Sequence, residues 1–174
     1  MRIIGGKFKG KKLKEFDGLD VRPTSDRARE SVFNVISPRL LGCYFLDLCC
    51  GTGAVGLEAL SRGAEFVEFV DSSKKSCQIA KFNINSVRLN NEPKTVDAIT
   101  YLKQTAQKFD IVFFDPPYAF NGEEEVFKII KQNGVSVFCK LFSNSKPRFH
   151  IASHCIKKYN KSFNIQIFFN CKKK

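Results

Sequence analysis

Apolar residues in this chain come in short runs, each holding an aspartate or closing on one, and turns or amphipathic stretches separate the runs. Tyr44-Phe45-Leu46-Asp47-Leu48 is the first. Phe66-Val67-Glu68-Phe69-Val70 closes on Asp71, a shorter run ends at Val96-Asp97-Ala98, and residues 109–114 close on Asp115. Apolar runs this short, bounded by turn residues, read as buried strands. Between them, 57–62 and 72–85 read as helices, with Gly63 at a C′ position. Upstream, Pro23, a Thr24/Ser25 cap and Asp26 in the first turn predict a helix over 22–36. Ala28, Val32, Val35 and Ile36 give it an apolar face, and Pro38 ends it. Regular strand–helix alternation predicts an α/β fold: a mostly parallel sheet with right-handed crossovers.

Asp47, Asp71, Asp97 and Asp115 then fall at the carboxyl ends of successive strands, where open α/β sheets form their ligand crevice. After the first strand comes Cys49-Cys50-Gly51-Thr52-Gly53-Ala54-Val55-Gly56, a G-x-G-x-x-G turn leading into a helix. Its glycines let the backbone approach a ligand closely. Asp47, inside the strand before this turn, would oppose a pyrophosphate but suits the cationic aminoacyl end of S-adenosylmethionine. Asp71 lies about 20 residues after the glycine turn, the place for a carboxylate on ribose hydroxyls. Asp97 could reach the adenine amino group.

The last run stops at Asp115-Pro116-Pro117-Tyr118. Its prolines fix φ and remove two donors, so the strand cannot continue. A rigid turn offering oxygen acceptors beside an aromatic face suits a flat group that carries an amine. Asp-Pro-Pro-Tyr resembles the motif of enzymes that methylate exocyclic amines of nucleobases.

Composition narrows the setting. The chain has 174 residues, 43% of them hydrophobic, enough for one α/β domain. It holds no apolar run of membrane-spanning length and no signal-peptide pattern, so a cytoplasmic protein is expected. Seven cysteines without a C-x-x-C pair read as reduced thiols. His150, His154 and Cys155 lack a second cluster, so no metal is expected. The net charge is +12, unevenly spread: residues 1–14 hold six bases and no acid, residues 15–124 net −4, and residues 125–174 net +10. Basic ends around an acidic centre suggest polyanion binding. Gly5-Gly6 and Gly10 turn the first segment into a basic hairpin rather than a core element. Arg2, Lys7 and Lys9 in that hairpin, with Arg22, Arg27 and Arg29 on or before the polar face of the first helix, are candidate phosphate contacts.

Three stretches line up with the turn at Asp115: Arg2-Ile-Ile-Gly-Gly-Lys-Phe-Lys-Gly, Arg22-Pro-Thr-Ser-Asp-Arg-Ala-Arg-Glu-Ser-Val-Phe-Asn, and Leu46-Asp-Leu-Cys-Cys-Gly-Thr-Gly-Ala-Val-Gly. Together they resemble the RsmD family of bacterial methyltransferases acting on guanine N2 of 16S rRNA. The resemblance covers residues 1 to about 122. It implies a Rossmann-like, seven-stranded, S-adenosylmethionine-dependent domain over 22–174 with an N-terminal β-hairpin extension over 1–21. The implied substrate is 16S rRNA in the small ribosomal subunit or its assembly intermediate, met by a monomer. On this reading Asp115 and the Pro116 carbonyl accept N–H bonds from the guanine amine, and Tyr118 stacks on the base. Asp47, Gly51, Gly53, Asp71 and Asp97 hold the cofactor. The alternatives are a DNA adenine-N6 or cytosine-N4 methyltransferase and a catalytically impaired rRNA-binding assembly factor. The tail diverges from the family pattern of a fifth strand ending near an acid and a closing antiparallel pair. Residues 135–142 and 164–170 could be strands there, but no acid follows Glu125.

Overall fold

Phe45, Leu46 and Leu48 are fully buried because β1 (Tyr44–Leu48) lies inside a sheet covered on both faces, the reason its sequence is almost continuously apolar. In the computed structural model, which describes residues 1–17, 26–117, 119–132, 136–141 and 166–169, β1 pairs in parallel with β2 (Phe66–Asp71) and β4 (Ile111–Phe114). β3 (Lys94–Thr95) adds to β2, β5 (Ser136–Leu141) to β4 and β6 (Gln166–Phe169) to β5. The order is β3-β2-β1-β4-β5-β6, so the winding reverses between β1 and β4. Such a reversal is where open α/β sheets form their ligand crevice, outside the carboxyl ends of the two strands.

Side-chain alternation sorts the strands' residues onto two helical layers. Phe45, Phe69 and Phe113 pack with α1 (Asp26–Ile36), α2 (Ala54–Ser61) and α3 (Lys74–Ser86). Leu46, Leu48 and Phe114 pack with α4 (Ala98–Gln104) and α5 (Glu123–Gln132). A Cβ at Gly56 would lie 2.3 Å from the Phe69 ring, so only glycine lets α2 sit this close to β2. No helix among the described residues is long and apolar enough to cross a membrane.

Several expectations change. The α1 stripe buries Val32, Phe33 and Ile36, while Val35 is 45% exposed. Arg29 is on the same stripe and only 1% exposed, so it is not a phosphate contact on a solvated face. Asp97 does not end a strand: β3 stops at Thr95, and Asp97 caps α4 by accepting the Thr100 N–H at 2.9 Å. The basic N-terminal segment is part of the core. Its arms meet in one antiparallel bridge, Arg2 with Lys12, rather than a ladder, and Ile3 and Leu13 are buried between them and the α2–α3 layer. Burial of two such side chains contributes roughly 1.5–3 kcal/mol each. Within the sheet the described residues form six strands, all paired in parallel, β6 with β5 included, where the resemblance implies an antiparallel closing pair; a seventh strand falls on none of the described residues. Arg22, Tyr118, His150, His154 and Cys155 lie outside the described residues.

Candidate active site

Register sets the level of the crevice. Leu48 pairs with Val70 on one side and Phe114 on the other, so Asp71 and Asp115 both lie one residue past the same rung, flanking Cys49. Two strand spacings separate them, roughly 10 Å.

The turn after β1 is a backbone construction. Cys49, Gly51 and Gly53 all have positive φ (65°, 55° and 75°), and the Gly53 N–H closes the turn on the Cys50 carbonyl at 2.8 Å. The Cys50 N–H donates to the Val70 carbonyl, tying the turn to β2. Asp71 completes the tie. One oxygen accepts the Gly51 N–H and the other the Ser73 N–H, each at 2.8 Å. A Cβ at Gly51 would meet nothing within 4 Å, so this stretch of backbone faces open space.

Asp47 is directed away from that space. It shares the α1–α3 side of the sheet with Phe45, is 1% exposed, and accepts the Gly56 N–H of α2 at 2.8 Å. Burial pushes its pKa well above the carboxylate range; the Gly56 hydrogen bond opposes this, and Asp71 and Asp115 push it further up. Burial and the same three carboxylates also raise the Cys49 thiol, so it stays protonated and is no nucleophile.

Asp115 follows β4 directly and is half-buried, as is Pro116, while Pro117 is exposed. The Pro117 carbonyl accepts the Phe120 N–H at 3.0 Å, and Phe120 sets its ring edge-on to Phe114 with centroids 5.6 Å apart. The turn is therefore pinned to the core just beyond the carboxylate. Asp97 is exposed at the head of α4, and its hydrogen bonds from Thr100 hold the carboxyl below its ordinary pKa.

Of the candidate phosphate contacts, Arg2, Lys7, Lys9 and Arg27 are exposed, and Arg2 has its Nε 3.8 Å from Asp26. Arg29 instead donates from Nη2 to the Arg2 carbonyl and to Asp26 at 2.9 Å; its Nε and Nη1 have no partner among the described residues. The sequence reading missed Glu58. Fully buried in α2, it accepts the Ile4 and Gly5 N–H groups at 2.7 and 2.8 Å and the Arg62 Nε at 2.7 Å. Its i,i+4 spacing to Arg62 was the visible signal; the backbone donors arriving from the N-terminus were not.

A family model described as conserved hypothetical protein 95 matches residues 1–146. The protein YlbH of Bacillus subtilis (strain 168) is 42% identical over 123 residues, 68% of this chain and 67% of that protein. The ribosomal RNA small subunit methyltransferase D of Haemophilus influenzae is 35% identical over 138 residues, 76% of this chain and 72% of that one. The solved yhhF protein of Escherichia coli superposes with a TM-score of 0.70 at 37% identity, over 78% of this chain and 74% of that one.

Proposed function

This chain belongs to the family described as conserved hypothetical protein 95, the RsmD family, and on that footing we propose that it methylates rRNA, at the exocyclic N2 amine of a guanine in 16S rRNA. The observation that carries the reading is the rung past Leu48 and its neighbours, where the glycine turn, Asp71 and Asp115 come to one level at the reversal of strand order.

S-adenosylmethionine suits the residues present. Gly51 faces open space for a ligand, and Asp71 is already oriented by two backbone donors, as an acceptor of ribose hydroxyls should be. When bound, this cofactor supplies an electrophilic methyl group. Asp97, exposed at the rim, can accept from the adenine amine. Asp47 is too enclosed to meet the aminoacyl end directly, so its part is to hold α2 against β1 and thereby shape the turn.

The guanine amine is conjugated with its ring and is a poor nucleophile. Asp115 and the Pro116 carbonyl accept its N–H bonds, which turns the nitrogen lone pair toward the methyl carbon. Alignment of this kind accounts for most of the acceleration. The nitrogen becomes acidic once methylated, and Asp115 takes the proton as transfer proceeds. Tyr118 stacks on a guanine drawn out of its helix. The exposed Arg2, Lys7, Lys9 and Arg27, with Arg22, hold phosphates. The chain acts as a monomer in the cytoplasm, where its substrate is assembled.

Radiolabelled S-adenosylmethionine incubated with small ribosomal subunits that lack the modification, naked rRNA and duplex DNA tests the reading. Label in the subunits as N2-methylguanine is the expected result. Label in DNA, or none anywhere from folded protein, overturns it.

A further inference from the structure

Arg2, Arg29, Arg62, Lys81, Lys94 and Lys103 each pair with a carboxylate. Lys7, Lys9, Lys11 and Arg88 have no carboxylate partner among the described residues, and all four line one open cavity of about 400 Å³ between the N-terminal segment and the C-terminal end of α3. Phe8, Ser86 and Val87 complete its lining, which contains no acid.

Arg88 occupies an unusual position. Its φ is +60°, and the hydrogen bonds Arg88 N–H to the Asn85 carbonyl and Leu89 N–H to the Ile84 carbonyl make it the left-handed residue that closes α3, a place that favours glycine. A long cation there carries a backbone penalty of roughly 1–2 kcal/mol. One turn before Ser86, Phe82 is 58% exposed on the same stripe of α3, with the Lys14 Nζ 5.4 Å from its ring centroid. Lys14 is fixed there because Asn83 accepts its N–H at 2.7 Å and donates to its carbonyl at 3.0 Å. An acid-free cluster of cations beside an exposed aromatic face is the arrangement that binds unpaired nucleic acid, with cations on phosphates and a ring under a base.

We propose that this cavity and the adjoining ring of Phe82 dock a single-stranded stretch of the RNA substrate, with Lys7, Lys9, Lys11 and Arg88 on phosphates and Phe82 stacked on a base. The proposal rests on the rRNA reading and extends it to α3, outside the crevice that holds Asp115. Contacts away from the reacting atoms act alike on ground and transition states, so their loss raises KM and leaves kcat unchanged.

The test titrates a short unstructured RNA, and a duplex of equal length, across a salt series with wild-type protein and the variants Arg88→Gly, Lys11→Gln/Arg88→Gly and Phe82→Ala. Arg88→Gly removes the charge while easing the backbone, so its melting temperature should hold or rise. The double variant should lower the salt slope by about 1.4, two phosphate contacts' worth. Phe82→Ala should weaken single-strand binding about tenfold with the slope unchanged. Wild-type binding and slope in all three variants, from a protein that methylates small subunits, overturn the docking site alone. A wild-type protein that neither binds nor modifies RNA overturns the rRNA reading and the site together.

Discussion

The glycine turn and the turn at Asp115 leave neighbouring strands at one level, yet they use their polar groups in opposite ways. In the glycine turn the carboxylates serve the backbone: Asp47 holds Gly56, and Asp71 holds Gly51 and Ser73. In the other turn the backbone is held without the carboxylate being needed for it. Two prolines and the Pro117–Phe120 hydrogen bond fix the chain, and Asp115 is left half-buried at the crevice. A binding surface can be made of N–H groups and shape, whereas alignment of a nucleophile needs a side chain on a rigid support. Asp115→Ala should break the comparison most visibly. The expected loss is about 10²–10⁴-fold in kcat, with cofactor binding by calorimetry nearly intact. Loss of cofactor binding in the same variant would show that the two turns do not divide the work.

Asp71→Ala should fail in the reverse sense. Two backbone donors lose their acceptor, which lowers stability by about 1–3 kcal/mol in urea denaturation. Cofactor affinity should drop at least tenfold if, as proposed, the carboxylate that holds the turn also accepts from the ribose hydroxyls. A variant with normal cofactor affinity and a reduced kcat would place Asp71 with the chemistry instead.

Arg27 and Arg29 extend the contrast to the RNA side. Arg29→Ala should cost about 2 kcal/mol of stability, through lost packing and two lost hydrogen bonds. Arg27→Ala should stay within about 0.5 kcal/mol and instead weaken RNA binding and flatten its salt dependence. An Arg29 variant of normal stability and poor RNA affinity would reverse this assignment.

What the sequence disclosed follows the same division. The strands, the glycine turn and the place of Asp115 depend on local patterns of apolar residues, glycine and proline, and these were legible. Arg29 was not, because it takes the first position of a stripe that continues through Val32, Phe33 and Ile36, and periodicity counts only apolar members. Asp97 was misplaced because a short side chain that can cap a helix also looks like the end of a strand. Ile3 and Leu13 were read as part of a basic hairpin rather than of the core; the backbone beside them is held by Glu58 and Ser61 of α2 and Asn83 of α3, all distant in sequence. The positions of β5 and β6 were visible as apolar runs, but not the parallel pairing between them, since direction is set by the connection and not by either strand.

Asp47→Asn is the mildest of these changes and the most informative about the crevice. An asparagine carbonyl can still accept the Gly56 N–H, so the turn should keep its shape and cofactor affinity should change little. The charge, however, disappears. Burial raises the Asp47 pKa in the folded chain, and Asp71 and Asp115 add to the effect. The folded protein therefore keeps this proton at pH values where the unfolded chain has released it. Its contribution to stability is full below the unfolded value, about 3.9, and is lost as pH rises toward the raised folded value. Wild-type stability should accordingly fall relative to Asp47→Asn from about pH 4 upward, by at most about 1.4 kcal/mol per pH unit. Urea denaturation of both proteins across that range measures the difference. Parallel curves would mean that the Asp47 carboxyl titrates alike in the folded and unfolded chain, so that neither burial nor the neighbouring carboxylates raise it. Converging stability toward low pH would show that the enclosed carboxyl keeps its proton in the folded chain, with burial as the first cause and the half-buried Asp71 and Asp115 adding to it.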